Sequence, residues 1–302
     1  MTTPRPATRK LTDLLDAKFM ARLDSLDVLS RKILQGKLQG ERRSKRRGQS
    51  VEFADHRAYV VGDDLRFVDW NVYGRLDRMY LKLFLEEEDR FIYLIVDSSH
   101  SMAYGAPRKL DYAARVAAAL GYVALSDMDR VALAALYDGS AAAFRPRRGR
   151  GQVWHLFDFL EKIEPQGKTD LAGSIRRFCL ENRRRGVVVV LSDFLDPAGY
   201  EEPLKALAGR GHEVFVLHLL AREEVAPDLQ GDFKLLDVET EAQVEISATR
   251  PTMRAYRRQL DLFRAGLKSF CAAHGIGYLF TSTAVPFEEL VLSYLRAAGL
   301  VK

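Results

Sequence analysis

Asp97, Ser99 and Ser101 stand at alternating positions directly after the apolar run Phe91-Ile92-Tyr93-Leu94-Ile95-Val96. A carboxylate and two hydroxyls are hard oxygen donors, and Mg²⁺ suits them, because it takes near-octahedral oxygen coordination, keeps several waters and uses one or two carboxylates. Three such side chains make only half a site. Two later places supply the other half: Thr169, within Gly167-Lys168-Thr169-Asp170, and Asp193, after the β-branched run 187–191. Thr169 or Asp170 also reads as the N-cap of the helix that starts at Leu171, since both residue types are favoured caps. Two serines, one threonine and two aspartates would hold a cation while leaving it short of negative charge and with a position open. Such an ion attracts an external carboxylate, which suits adhesion to a partner's Asp or Glu better than hydrolysis.

These donors need elements to position them. Residues 91–96 read as a strand, and Lys109–Ser126 as a helix, with Leu110, Ala113, Ala117, Leu120 and Ala124 at helical spacing. A strand over 131–137 leads through Asp138-Gly139, a hairpin turn signal, into an antiparallel strand over 141–145. Helices are expected over 153–163 and 171–184. Val187 to Leu191 is apolar throughout, the mark of a central strand buried on both faces. A helix over Glu201–Gly209, a strand over 214–220, a small hairpin (233–238 with 243–246), a long amphipathic helix through Met253, Tyr256, Leu260, Phe263, Leu267 and Phe270, a strand over 276–281 and a helix over 287–298 complete the alternation. The pattern predicts an α/β fold: a doubly wound, mostly parallel sheet with helices on both faces. Ligands in such folds bind beyond the carboxyl ends of the strands, which is where all five donors fall.

The N-terminal part has another texture. Residues 12–39 carry a broad apolar stripe at helical spacing, and residues 40–48 form a dense basic run, with Arg42 to Arg47 at its centre. Short extended segments are expected at 51–53, 58–61 and 79–84. Between them, residues 62–70 read as a turn whose aspartates cap local backbone, with Trp70 packed as core. The division expected is an N-terminal extension over 1–88 and an α/β domain over 89–302.

Composition sets the class. The chain has 302 residues, 47% hydrophobic and 29% charged, and no apolar run near the length of a membrane span. Its net charge of +5 is uneven: residues 1–50 hold 13 Lys+Arg against 5 Asp+Glu, leaving the remainder slightly acidic. No apolar segment follows the basic N-terminus, so it is not a secretory signal. Cys179 and Cys271 have no metal-type spacing and read as reduced core thiols in the cytoplasm.

The run Asp97-Ser98-Ser99-His100-Ser101 resembles the Asp-X-Ser-X-Ser signature of von Willebrand factor A-like domains, with Thr169 and Asp193 where that family's metal-ion-dependent adhesion site places its later Thr and Asp. The resemblance implies Ser99, Ser101 and Thr169 as hydroxyl ligands, and Asp97 and Asp193 coordinating directly or through water. It implies Mg²⁺ as the ion, with Mn²⁺ or Ca²⁺ as substitutes. Upstream, residues 53–59, the block Gly62-Asp63-Asp64-Leu65-Arg66-Phe67-Val68-Asp69-Trp70, Arg75 and residues 82–88 are similar to a bacterial group, the domain of unknown function fifty-eight; Val68 replaces its usual Ile. Many members carry transmembrane helices, and members are associated with MoxR-type AAA+ ATPases. The resemblance therefore implies a partner-binding or chaperone-adaptor role toward such an ATPase or its client, without catalysis and without a small-molecule substrate.

Two other classes were weighed on the residues. A metal-assisted hydrolase could use the same carboxylates with His100 as base, but the chain lacks a Gly-X-Ser-X-Gly elbow, a Walker-type loop and a His-Glu-X-X-His motif. Nucleic-acid binding through Arg42–Arg47 is the minority reading, because no aromatic platform accompanies the basic run. The same run could also steer the chain to an acidic protein ring or an anionic membrane surface.

Overall fold

The computed structural model describes Leu23 and residues 52–85, 90–229, 231–237, 239 and 242–294. The chain divides into two compact units, residues 35–89 in one and residues 1–34 with 90–302 in the other. The basic run and, apart from Leu23, the expected helix over 12–39 lie outside the described residues. Leu23 is helical and fully buried.

In the smaller unit, strand β1 (Glu52–Ala58) pairs antiparallel with β2 (Tyr80–Leu85). Expected as two short pieces, β1 is one strand, and Val60 and Val61 are exposed in the turn that follows it. Asp64 caps a 3₁₀ turn (Leu65–Phe67), and Asp69 caps the short helix α1 (Trp70–Leu76) by accepting from the Asn71 and Val72 amides. Those caps match the expected turn chemistry. Trp70 does not match: it is 58% exposed, with only an edge contact to the Tyr73 ring among its recorded aromatic neighbours. A helix of seven residues on a two-stranded hairpin has no second layer in this unit to cover its outer face, and the buried apolar residues are Val68 and Leu81.

The larger unit is an α/β sandwich. Its elements are β3 (Phe91–Asp97), α2 (Lys109–Ser126), β4 (Arg130–Tyr137), β5 (Ser140–Arg148), α3 (Val153–Glu161), α4 (Leu171–Glu181), β6 (Val187–Ser192), α5 (Glu201–Gly209), β7 (Glu213–Leu220), α6 (Arg222–Val225), the hairpin β8 (Gly231–Leu236) and β9 (Gln243–Ala248), α7 (Arg250–Ala273), β10 (Gly277–Ser282) and α8 (Phe287–Glu289). Six strands form one sheet in the order β10-β7-β6-β3-β4-β5, parallel except for β5, which runs antiparallel along β4. The chain builds the sheet outward from β3 in one direction, then returns to build it in the other. The turning point lies between β3 and β6, where open α/β sheets place their ligand crevice.

Strand periodicity explains the two cores. Ile92, Leu94 and Val96 face α2 and α3, meeting Val116, Leu120 and Leu156. Tyr93 and Ile95 face the opposite layer, with Phe178 of α4, Leu204 of α5 and Leu267 of α7. Each of these side chains contributes roughly 1.5–3 kcal/mol by leaving water. β6 alternates in the same way, so its apolar run serves both layers at once. Cys179 and Cys271 are free and buried. At the C-terminal end, the expected helix begins at Phe287 but widens into a π-type turn over Leu290–Tyr294, and the rest of it lies outside the described residues. No helix among the described residues is long and apolar enough to cross a membrane.

β6 enters beside β3 through Gly186. A Cβ at that position would lie 2.2 Å from the backbone oxygen of Phe91, an atom fixed by the sheet. Gly186→Ala is therefore expected to destabilise the unit by about 1–3 kcal/mol through overpacking, read as a lower urea midpoint. An unchanged midpoint would show that β3 and β6 do not approach this closely.

Candidate functional site

The site is assembled where β3 and β6 end. Asp97 is the last residue of β3, and Asp193 follows the last residue of β6. Both are buried, 2% and 0% exposed. The loop after β3 is tacked to the neighbouring strand by Ser98, whose amide and hydroxyl both donate to the Leu136 carbonyl at 2.9 Å. It is tied to the loop before α4 by two backbone bonds, Gln166 N–H to Ser98 O at 2.8 Å and His100 N–H to Gly167 O at 3.1 Å. Three loops thus converge on one edge of the sheet.

Within that frame the side chains hold one another. One oxygen of Asp97 accepts from the Ser99 amide at 3.0 Å and the other from the Ser192 hydroxyl at 2.6 Å. The hydroxyls of Ser99 and Ser101 are 3.1 Å apart, and Ser101 Oγ donates to Asp193 Oδ2 at 3.0 Å. The Leu195 amide donates to the other Asp193 oxygen at 3.1 Å. Between them, Phe194 adopts a left-handed backbone, φ 56°, with its ring buried against His218. For a bulky residue that conformation costs on the order of 1–3 kcal/mol, and the surrounding bonds maintain it. It aims Asp193 back over the end of the strand.

Four of the five residues singled out from the sequence, Asp97, Ser99, Ser101 and Asp193, therefore form one hydrogen-bonded group. The fifth, Thr169, lies on the adjoining loop and is bonded elsewhere: its hydroxyl donates to Glu239 Oε1 at 2.6 Å and its amide to Glu239 Oε2 at 3.1 Å. Asp170, not Thr169, is the N-cap of α4, accepting from the Gly173 amide. His100 is exposed.

Lys109 and Glu224 escaped the sequence reading. The Lys109 ammonium, fully buried in the first turn of α2, reaches Asp193 Oδ2 at 2.7 Å and Glu224 Oε1 at 2.6 Å. Glu224 also accepts from the Ala221 amide just past β7. A lysine where a helix dipole presents its positive end is a weak signal of a carboxylate nearby. Burial pulls the Lys109 pKa down, but the two carboxylates outweigh it and the net shift is upward. Asp97 has no such partner. Burial first, and then the charge of Asp193, push its pKa up to about 6. Burial also lowers His218, to about 4, so its imidazole is neutral near pH 7.

The group thus sets the carboxylates of Asp97, Asp193 and Glu224 against the one ammonium of Lys109. Among the described residues, no three His, Cys, Asp or Glu side chains are placed as a metal set, so a cation here would rest on two aspartates and on hydroxyls. That all-oxygen, hydroxyl-rich donor set, with negative charge in excess, fits a small hard divalent ion. It does not fit zinc, for which nitrogen and sulfur ligands are preferred.

Comparison with known proteins gives a family. The sequence profile of the family described as "Protein of unknown function DUF58" matches residues 55–262. The uncharacterized protein Rv1480 of Mycobacterium tuberculosis is 32% identical over 242 residues, covering 78% of this chain and 75% of its own, and the uncharacterized protein Mb1516 of Mycobacterium bovis gives the same figures. The chain belongs to the DUF58 family. Among solved structures, the conserved hypothetical protein BatB from Bacteroides thetaiotaomicron is 17% identical with a TM-score of 0.44, over 69% of this chain and 98% of that one. An aerotolerance-related membrane protein from Bacteroides fragilis is 17% identical with a TM-score of 0.42, over 70% and 98%.

Removing the Lys109 charge leaves Asp193 and Glu224 buried without it. Lys109→Met is expected to cost about 3–5 kcal/mol, the range for breaking a buried ion pair from one side, measured by urea denaturation at pH 7. A loss under about 1 kcal/mol, the range of exposed ion pairs, would mean that the ammonium is not the counter-ion of this cluster.

Proposed function

We propose that this DUF58 protein is a non-enzymatic protein–protein interaction module. In this reading its larger unit is a von Willebrand factor A-like domain. Asp97, Ser99, Ser101, Thr169 and Asp193 form a metal-ion-dependent adhesion site that holds Mg²⁺ and presents it to a carboxylate of a partner. The observation that carries the reading is the closed hydrogen-bonded group of Asp97, Ser99, Ser101 and Asp193 at the turning point of the sheet. Two buried carboxylates, one of them with its pKa raised to about 6, form a place where a divalent ion relieves unfavourable charge.

The bound ion would supply positive charge and a coordination position. The chain's own residues would orient it: Ser192 and the Ser99 amide fix Asp97, and Lys109 with the Leu195 amide fixes Asp193. The one histidine of the site loop, His100, is exposed, and His218 is buried among Phe194, Phe263 and Phe280 with a lowered pKa. Neither is placed in the hydrogen-bonded group as a general base would be, which supports binding over hydrolysis. The partner in this proposal is a MoxR-type AAA+ ATPase or its client in the cytoplasm, the association that family resemblance suggests.

Titration calorimetry with Mn²⁺ or Mg²⁺ tests the reading. One ion is expected to bind per chain, with binding lost in Asp97→Ala and weakened roughly tenfold or more in Thr169→Ala, while circular dichroism is unchanged. Pull-down of the ATPase should fail in chelator and in Asp97→Ala. Capture that is indifferent to both would sink the metal-bridged mechanism.

A further inference from the structure

The contact between Thr169 and Glu239 has no role in the sheet or in its cores. Glu239 stands in the turn of the β8–β9 hairpin, inserted between β7 and α7 and remote in sequence from the loop it touches. Its turn is closed by Asp237, whose amide donates to the Ala242 carbonyl and whose carboxylate accepts from the Glu239 amide. The ribbon itself is largely exposed, with Leu235, Leu236 and Val244 open to solvent and Ala248 buried at its base. An isolated two-stranded ribbon is at best marginally stable in water. The tip contact is nevertheless strong in kind: one carboxylate accepts from both the hydroxyl and the amide of a single residue, at 2.6 and 3.1 Å.

The chemistry at that contact is informative. Thr169 sits on the loop that two backbone bonds fasten to the Ser98–His100 loop. That edge of the sheet already has the carboxylates of Asp97, Asp193 and Glu224 against the ammonium of Lys109. Another carboxylate delivered to the same edge adds repulsion unless a cation is there to receive it. The group it delivers is also the one that an open position on a hard cation attracts.

We infer that Glu239 is a carboxylate ligand supplied by the chain itself: the β8–β9 turn presents it to the cation site beside Thr169, and a partner's Asp or Glu takes its place. This rests on the metal-site reading proposed above. Exchange of one carboxylate for another leaves the charge of the site unchanged. The hairpin can leave without unravelling either core, because its strands pair only with each other.

Water-proton relaxation of Mn²⁺ bound to the full chain tests the inference, with formate as the carboxylate probe. In the natural sequence the bound ion should hold fewer exchangeable waters, and millimolar formate should leave its relaxivity unchanged. In Glu239→Ala the relaxivity should rise by the contribution of at least one more coordinated water, and formate should then lower it. Glu239→Gln, which preserves the length of the side chain, should move in the same direction. If Mn²⁺ binds but relaxivity and formate response are the same in all three proteins, Glu239 is not a ligand and the inference is overturned while the metal site stands. If none of the three proteins binds Mn²⁺, the metal-site reading fails and the inference fails with it.

Discussion

Asp97 and Asp193 are buried at the ends of adjacent parallel strands, out of reach of the water that would screen them, and the structure around them is built to tolerate that charge. Each carboxylate oxygen receives at least one hydrogen bond, from Ser99, Ser192, Ser101, Lys109 or Leu195. The serine-rich loops keep their side chains on these oxygens and their backbones on neighbouring loops. The left-handed turn at Phe194 directs Asp193 toward the cluster at a local conformational cost. None of these features is needed merely to close an α/β sheet; together they hold two like charges near each other.

The compensation is unequal. Asp193 has the Lys109 ammonium, while Asp97 has hydrogen bonds alone, and burial with the neighbouring charge makes its ionised form costly. A second positive charge at Asp97 is what the arrangement lacks. The hydroxyls of Ser99 and Ser101 stand between the two carboxylates in the hydrogen-bonded chain. Lys109 serves a further purpose in this view. It lets Asp193 ionise and stay in place whether or not an ion is bound, so the donors are organised before binding and the ordering cost is met by folding.

Much of this was legible in the sequence because the signals were local. The helix at Lys109–Ser126 and the helix at Glu201–Gly209 occupy the expected residues, and Asp138-Gly139 makes the predicted antiparallel turn. The continuous apolar run in β6 correctly marked a strand with a layer on each face. Strand ends then put Asp97 and Asp193 at one edge. What could not be read was tertiary. Lys109 looks like an ordinary helix-start residue until α6 brings Glu224 beside it. Thr169 looks like a partner for the serines, yet a turn seventy residues later takes its hydroxyl. Trp70 looks like core, but its helix lacks a covering layer within its own unit. The β1 segment looked broken at its polar residues, and a single antiparallel partner strand extends through them.

The central claim is that a divalent ion belongs between these two carboxylates, and anomalous diffraction from a Mn²⁺-soaked crystal tests it most directly. The account predicts a single strong peak at roughly 2.1 Å from the hydroxyl oxygens of Ser99 and Ser101, the spacing of a small octahedral cation. A peak elsewhere, or none with the Asp97 and Asp193 side chains hydrogen-bonded as described, would contradict it.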